Sequence, residues 1–149
     1  MKITKFSKLE NILGIKFKDV NILEKALTHK SYNSLENYEK LEFLGDRVLA
    51  LVISKKLLDT YPKESEGIID KKFSNLVNRQ TCASIAKKLD LKKFMNLGES
   101  FKNLKRSDDK ILSDCLEAII GAIYLNLGFV VVEKFIMKHW EINLQSSKR

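Results

Sequence analysis

Proline occurs once in the 149 residues, at Pro62, glycine occurs six times, and no Asn-Gly or Asp-Gly pair is present to turn a hairpin. No stretch sustains period-two alternation of apolar and polar residues, so an all-α fold is expected. Two cysteines, Cys82 and Cys115, stand 33 positions apart with no CxxC pair and no neighbouring histidine pair. That spacing argues against a zinc site or a disulfide framework and leaves both as small buried residues. The longest uncharged apolar stretch, Ala118 to Leu125, falls far short of the ~18 residues a bilayer span demands. Lys2, Lys5 and Lys8 have no apolar segment behind them, so no secretory signal and no membrane partner are expected, and the expected location is cytoplasmic. GxxxxGK, GxGxxG and GxSxG patterns are all missing, which removes the common nucleotide-binding and serine-hydrolase chemistries.

What the chain does have is positive charge. Lysine and arginine number 27 against 19 acids, a net charge of +8, in a composition 44% hydrophobic and 31% charged. A chain of this length and balance is expected to form one soluble domain over residues 1–149. The basic excess favours a polyanionic partner. Lys87 to Arg106 holds seven basic residues opposed only by Asp90 and Glu99, although a solvated lysine face would read the same way.

The pattern predicts two short N-terminal helices, with Ser7/Glu10 and Asn21/Glu24 at capping-box spacing and a stop at Gly14. A long helix is expected from Asn37 to Asp59, before the Tyr61-Pro62 break. An amphipathic helix over Glu66 to Asn78 and a shorter one through Ala83, Ala86 and Leu89 follow, and Leu97 to Arg106 reads as a polar loop. Ser107 is placed to cap a strongly apolar helix ending at Gly128. A last helix carries Phe135, Ile136 and Trp140, while Val130 to Val132 could equally be extended.

Acids occur where burial is expected. In the helix from Asn37, apolar residues Leu41, Phe43, Leu44, Val48, Leu49, Leu51 and Val52 point in nearly every direction, so the element should be mostly buried. Yet Glu39, Glu42 and Asp46 share an arc of roughly 60° on it. The second apolar helix repeats the pattern: Asp114 and Glu117 at i, i+3 sit among Ile111, Leu112, Leu116, Ile119, Ile120 and Ile123. Gly45 and Gly121 border the two stripes and leave room for a neighbouring backbone or a ligand. Two carboxylates ~4 Å apart repel by about 4 kcal/mol at an effective dielectric of ~20, so a bare cluster is unfavourable. One helical step turns Lys40 and Arg47 away from Glu39 and Asp46. A structural ion network stays open, and so does a magnesium ion, a hard cation matched to oxygen ligands. With a basic surface, the second alternative suits phosphodiester hydrolysis, in which a metal lowers the pKa of bound water and stabilises the leaving oxygen. The only histidines, His29 and His139, could form a metal-free acid/base pair or be packed side chains.

The segment Asn37-Tyr38-Glu39-Lys40-Leu41-Glu42-Phe43-Leu44-Gly45-Asp46 resembles the signature of the ribonuclease III family. Ser113-Asp114-Cys115-Leu116-Glu117-Ala118-Ile119-Ile120-Gly121-Ala122-Ile123-Tyr124-Leu125 resembles its second acidic motif. Weaker similarity runs through Ala26 to Tyr32, Glu66-Gly67 and Leu76 to Arg79. The resemblance implies an all-helical endonuclease domain that pairs into a homodimer with a valley for double-stranded RNA. It also implies Glu42, Asp114 and Glu117 as magnesium ligands, Asp46 and Glu117 as the catalytic pair, Glu39 and Glu66 as supporting acids, and Phe43 at the subunit interface. The implied activity is hydrolysis of double-stranded RNA to 5′-phosphate and 3′-hydroxyl ends, in processing of ribosomal precursors and structured transcripts. Bacterial members usually continue into a C-terminal double-stranded-RNA-binding domain, and no such module is expected in this chain. A non-cutting RNA-binding or ribosome-assembly protein on the same fold is the alternative, and occupancy of every matched acidic position weighs against it.

Overall fold

The computed structural model describes residues 4–102 and 108–148. Within them the scarcity of turn residues is matched by helix throughout: α1 (Lys5–Leu13), α2 (Val20–Ala26), α3 (Glu39–Thr60), α4 (Glu66–Val77), α5 (Arg79–Lys88), α6 (Asp108–Leu127), α7 (Phe129–His139) and α8 (Glu141–Ser146). Short 3₁₀ turns at Leu91–Phe94 and Glu99–Phe101 follow α5. Among the described residues no strand occurs, and a single bridge joins Thr28 to Asn96.

Helix ends follow local chemistry, with two corrections. Thr4, not Ser7, caps α1, because its hydroxyl accepts from the Ser7 N–H at 3.1 Å. Glu10 is thereby released to accept from the Phe17 N–H at 2.7 Å. Asp19, not Asn21, caps α2 and accepts from the Asn21 N–H. An earlier acceptor wins in both cases, since a cap must precede the amides it satisfies. Gly14 ends α1 with φ 71°, as expected of a left-handed terminator. Ser65 and Asn78 cap α4 and α5. Val130 to Val132 are helical, and Val132 is wholly buried in α7. The expected polar loop folds into a 3₁₀ turn at its start, while the proposed Ser107 cap lies outside the described residues.

Helix α6 is the centre of the molecule. Cys115, Leu116, Ala118, Ile119, Ile120, Ala122 and Ile123 have no exposed surface, and α2, α3, α5 and α7 pack around them. Its most extensive partner is α3, which buries Leu41, Gly45, Val48, Leu49, Val52, Ile53 and Leu57. The two helices touch backbone to backbone. A methyl group at Gly45 would overlap the Glu117 carbonyl, and one at Gly121 would overlap the carbonyl of Leu41. The room both glycines leave is therefore filled by the opposing helix. Far from this crossing, Trp140 is fully buried and donates its indole N–H to the Leu76 carbonyl at 2.8 Å. Both cysteines are free and buried, as expected.

One expectation about α3 fails. Phe43, Leu51 and Leu58 are 59%, 59% and 60% exposed. Positions i, i+8 and i+15 share one side of a helix within roughly 80°. Helix α3 thus carries an apolar stripe facing away from the core, which periodicity alone does not separate from a buried face.

Candidate metal centre

The backbone contact at Gly45 and Gly121 sets the geometry of the acids. Glu42 and Asp46 lie within one turn of Gly45 on α3, and Glu117 lies one turn before Gly121 on α6, so the close crossing presses the two stripes together. One carboxylate oxygen from each of Glu42, Asp114 and Glu117 lies within 4.8 Å of the other two. Asp46 adjoins this trio: its carboxylate acts on Glu117 as an acceptor for the Glu117 carboxyl proton and as a neighbouring negative charge. Burial is graded across the group: Glu117 is 7% exposed, Glu42 and Asp114 are partly buried, and Asp46 is open to solvent.

Such crowding has an electrostatic signature. Burial, the Asp46 hydrogen bond and the neighbouring charges of Asp46, Glu42 and Asp114 push the Glu117 carboxyl up to about 9. Glu42 is raised by burial and by Asp114 and Asp46, against the opposing pull of Lys110 and Arg47. Negative charge is being held together more tightly than the protein's own cations compensate.

Two cations do touch the group. Lys110 Nζ lies 2.7 Å from Asp114 Oδ2, one turn earlier on α6. Arg47, expected to point away, doubles back: its Nη1 lies 3.4 Å from Asp46 Oδ2 and donates to the Phe43 carbonyl at 3.0 Å. Its guanidinium carbon sits 3.7 Å from the centre of the Phe43 ring. The arginine stem is long enough to undo one helical step, which a calculation on Cβ direction alone does not capture. Both cations are more than half exposed, and no ion pair reaches Glu42 or Glu117 among the described residues. A complete structural ion network is therefore not present there. The donor set fits a hard divalent cation: three converging carboxylate oxygens, under-compensated in charge, with one edge open to solvent.

The remaining candidates are not among the converging oxygens of the described residues. Glu39 is exposed in the first turn of α3, and its charge acts on His29 and Tyr38. Glu66 is exposed in the first turn of α4 and is not among the principal charges acting on Glu42 or Glu117. His29 and His139 do not form a pair. His29 Nδ1 accepts from the Ser31 N–H at 3.0 Å and lies 2.7 Å from Ser31 Oγ, while the ring packs between Tyr38 and Phe101. His139 reaches the Leu13 carbonyl and stacks near Phe135. Burial pulls both below the usual imidazole range. Sequence reasoning passed over Lys110, although its i, i+4 spacing to Asp114 was visible as a candidate helical ion pair.

A cavity of about 670 Å³ among Lys56, Thr60, Tyr61, Lys138 and Gln145 contains none of the acids. An open carboxylate centre suits a long polymer better than an enclosed small molecule. Among the described residues no helix is long and apolar enough to cross a membrane.

A family model described as Ribonuclease-III-like matches residues 19–142. The chain is 53% identical over 141 residues to Ribonuclease 3 of Pelagibacter ubique, covering 94% of this chain and 63% of that protein. It is 44% identical over 144 residues to Ribonuclease 3 of Bartonella henselae, covering 95% of this chain and 61% of that protein. The chain thus spans about three-fifths of the length of these curated relatives. Among solved structures, a nuclease domain of ribonuclease III from Campylobacter jejuni superposes with a TM-score of 0.87 at 41% identity, covering 97% of this chain and 99% of that one. That structure is described as showing flexibility in a region involved in dimer formation. Dicer from Pichia stipitis is more distant, with a TM-score of 0.72 at 27% identity over 89% of this chain and 59% of that one. With both acidic motifs, the helical fold and these likenesses in agreement, the chain belongs to the ribonuclease-III-like family and corresponds to its nuclease domain.

Proposed function

We propose that this chain is the cutting domain of a magnesium-dependent endoribonuclease acting on double-stranded RNA. The observation that carries the proposal is the convergence of Glu42, Asp114 and Glu117 oxygens from two helices within 4.8 Å. Bound there, magnesium would supply a water of lowered pKa and neutralise charge on the phosphoryl oxygens. Glu42, Asp114 and Glu117 would hold the ion. Asp46, hydrogen-bonded to Glu117 and open to solvent, is suited to orient water and accept its proton on the RNA side. With water attacking phosphorus and the 3′-oxygen leaving, the products would carry 5′-phosphate and 3′-hydroxyl ends. Glu39 and Glu66, exposed on the first turns of α3 and α4, would support from the periphery. The net charge of +8 supports affinity for a phosphate backbone, the feature by which A-form duplexes are largely held.

A homodimer is part of the proposal, with the Phe43–Leu51–Leu58 stripe of α3 as the face that pairs. Processing of ribosomal precursors and structured transcripts in the cytoplasm is the corresponding cellular role, and residues 1–149 constitute the catalytic unit.

The test is incubation of the purified chain with a long RNA duplex, with and without magnesium. Fragments that require the metal and disappear in Glu117→Ala while duplex binding persists support cleavage at this centre. Binding without cutting across magnesium and manganese concentrations would instead identify a non-cutting RNA-binding protein.

A further inference from the structure

We propose that Lys110 is a tethered counter-ion that competes with the divalent ion for Asp114 and so sets the ion concentration at which the centre fills. The inference rests on the metal-dependent reading of the centre given above. Lys110 Nζ and Asp114 Oδ2 are 2.7 Å apart, so the ammonium engages an oxygen-bearing group of the trio directly. The two ends of the pair differ in freedom. The Asp114 side chain is 18% exposed and fixed on the buried helix, whereas Lys110 is 63% exposed and can swing into water without breaking any other bond seen among the described residues. Its charge also lowers Glu42 and acts on His29, so its field covers the α3 side of the centre as well as its own helix.

Arg47 is the other cation at the cluster, but it is committed elsewhere, to Asp46, the Phe43 carbonyl and the Phe43 ring. Lys110 alone bears on the trio by direct contact among the described residues. A cation on the Asp114 carboxylate and a divalent ion beside it repel each other, so filling the centre favours withdrawal of Lys110. Such a residue balances the acids when ion is scarce and sets a threshold for loading. It also makes loading depend on ionic strength, because salt screens the half-exposed ammonium.

The experiment is manganese binding to the full chain without RNA, read by calorimetry and by the magnetic resonance signal of free manganese. The parent, Lys110→Gln and Lys110→Arg are compared at low and high salt. Glutamine keeps the stem and removes the charge, while arginine keeps the charge, and helix content by circular dichroism confirms that each folds. The expected result is manganese affinity about three- to tenfold tighter in Lys110→Gln, near-parental affinity in Lys110→Arg, and a smaller gap at high salt. Equal or weaker affinity in Lys110→Gln, with the parent binding normally, overturns the competition and leaves the metal centre standing. Absence of manganese binding in the parent overturns the metal centre itself and the competition with it.

Discussion

Replacing Glu117 by glutamine should stabilise the protein while disabling it. The carboxyl is 7% exposed and pushed from its ordinary 4.5 up to about 9. Between those values the folded chain keeps a proton that the unfolded chain has released, so stability falls as pH rises through the window. Each pH unit above the ordinary value costs about 1.4 kcal/mol, which comes to about 3 kcal/mol near pH 7 in the absence of divalent ions. Glutamine has nearly the same shape, donates a hydrogen bond to Asp46 and does not titrate. Glu117→Gln is therefore expected to gain about 2–3 kcal/mol near pH 7, raising Tm by roughly 5–10 °C for a chain of this size. Urea unfolding followed by circular dichroism in a chelator, from about pH 5.5 to about pH 8.5, measures it. The advantage of the variant should widen with pH. Saturating magnesium should narrow it, because the ion favours the charged glutamate of the parent. An advantage that stays constant across the pH range, or a variant less stable than the parent, would refute the electrostatic account of the cluster.

Three further outcomes follow from the packing. Gly45→Ala should destabilise by about 1–3 kcal/mol and reduce cleavage more than stability alone explains, since its methyl pushes α3 off the Glu117 carbonyl; melting and cleavage measured on one preparation check this. Phe43→Ala should change monomer stability by less than about 1 kcal/mol, because the ring is mostly exposed, yet shift a sizing profile from dimer to monomer at micromolar concentration. Trp140→Phe should cost about 2–4 kcal/mol in chemical unfolding, through lost volume and an unpaired Leu76 carbonyl, with the metal dependence of cutting unchanged.

Most helices were legible because turn residues are scarce and apolar periodicity is strong, and the ends of α3 and α4 were legible to within two residues, whereas the expected last helix is two, α7 and α8, with Trp140 at the junction between them. The caps of α1 and α2 were not legible, because several acceptors compete near each helix start and local spacing does not rank them. Glu42, Asp114 and Glu117 were legible as acids misplaced on apolar helices, and Gly45 and Gly121 as places of close approach. That the close approach is backbone on backbone, and so forces the acids together, required the helix crossing. The exposed face of α3 was hidden because Phe43, Leu51 and Leu58 are as apolar as the residues that form the core. Arg47 and Lys110 were misjudged or missed for a shared reason: long flexible cations find carboxylates by side-chain reach, which helical angles do not encode.

The central claim is that acids from α3 and α6 jointly hold a divalent ion, and anomalous scattering from manganese-soaked crystals of this chain tests it most directly. The account predicts a peak bounded by Glu42, Asp114 and Glu117 that disappears in Glu117→Ala. Crystals in saturating manganese that show no peak there, with Glu42 and Glu117 instead paired to lysine or arginine, would contradict it.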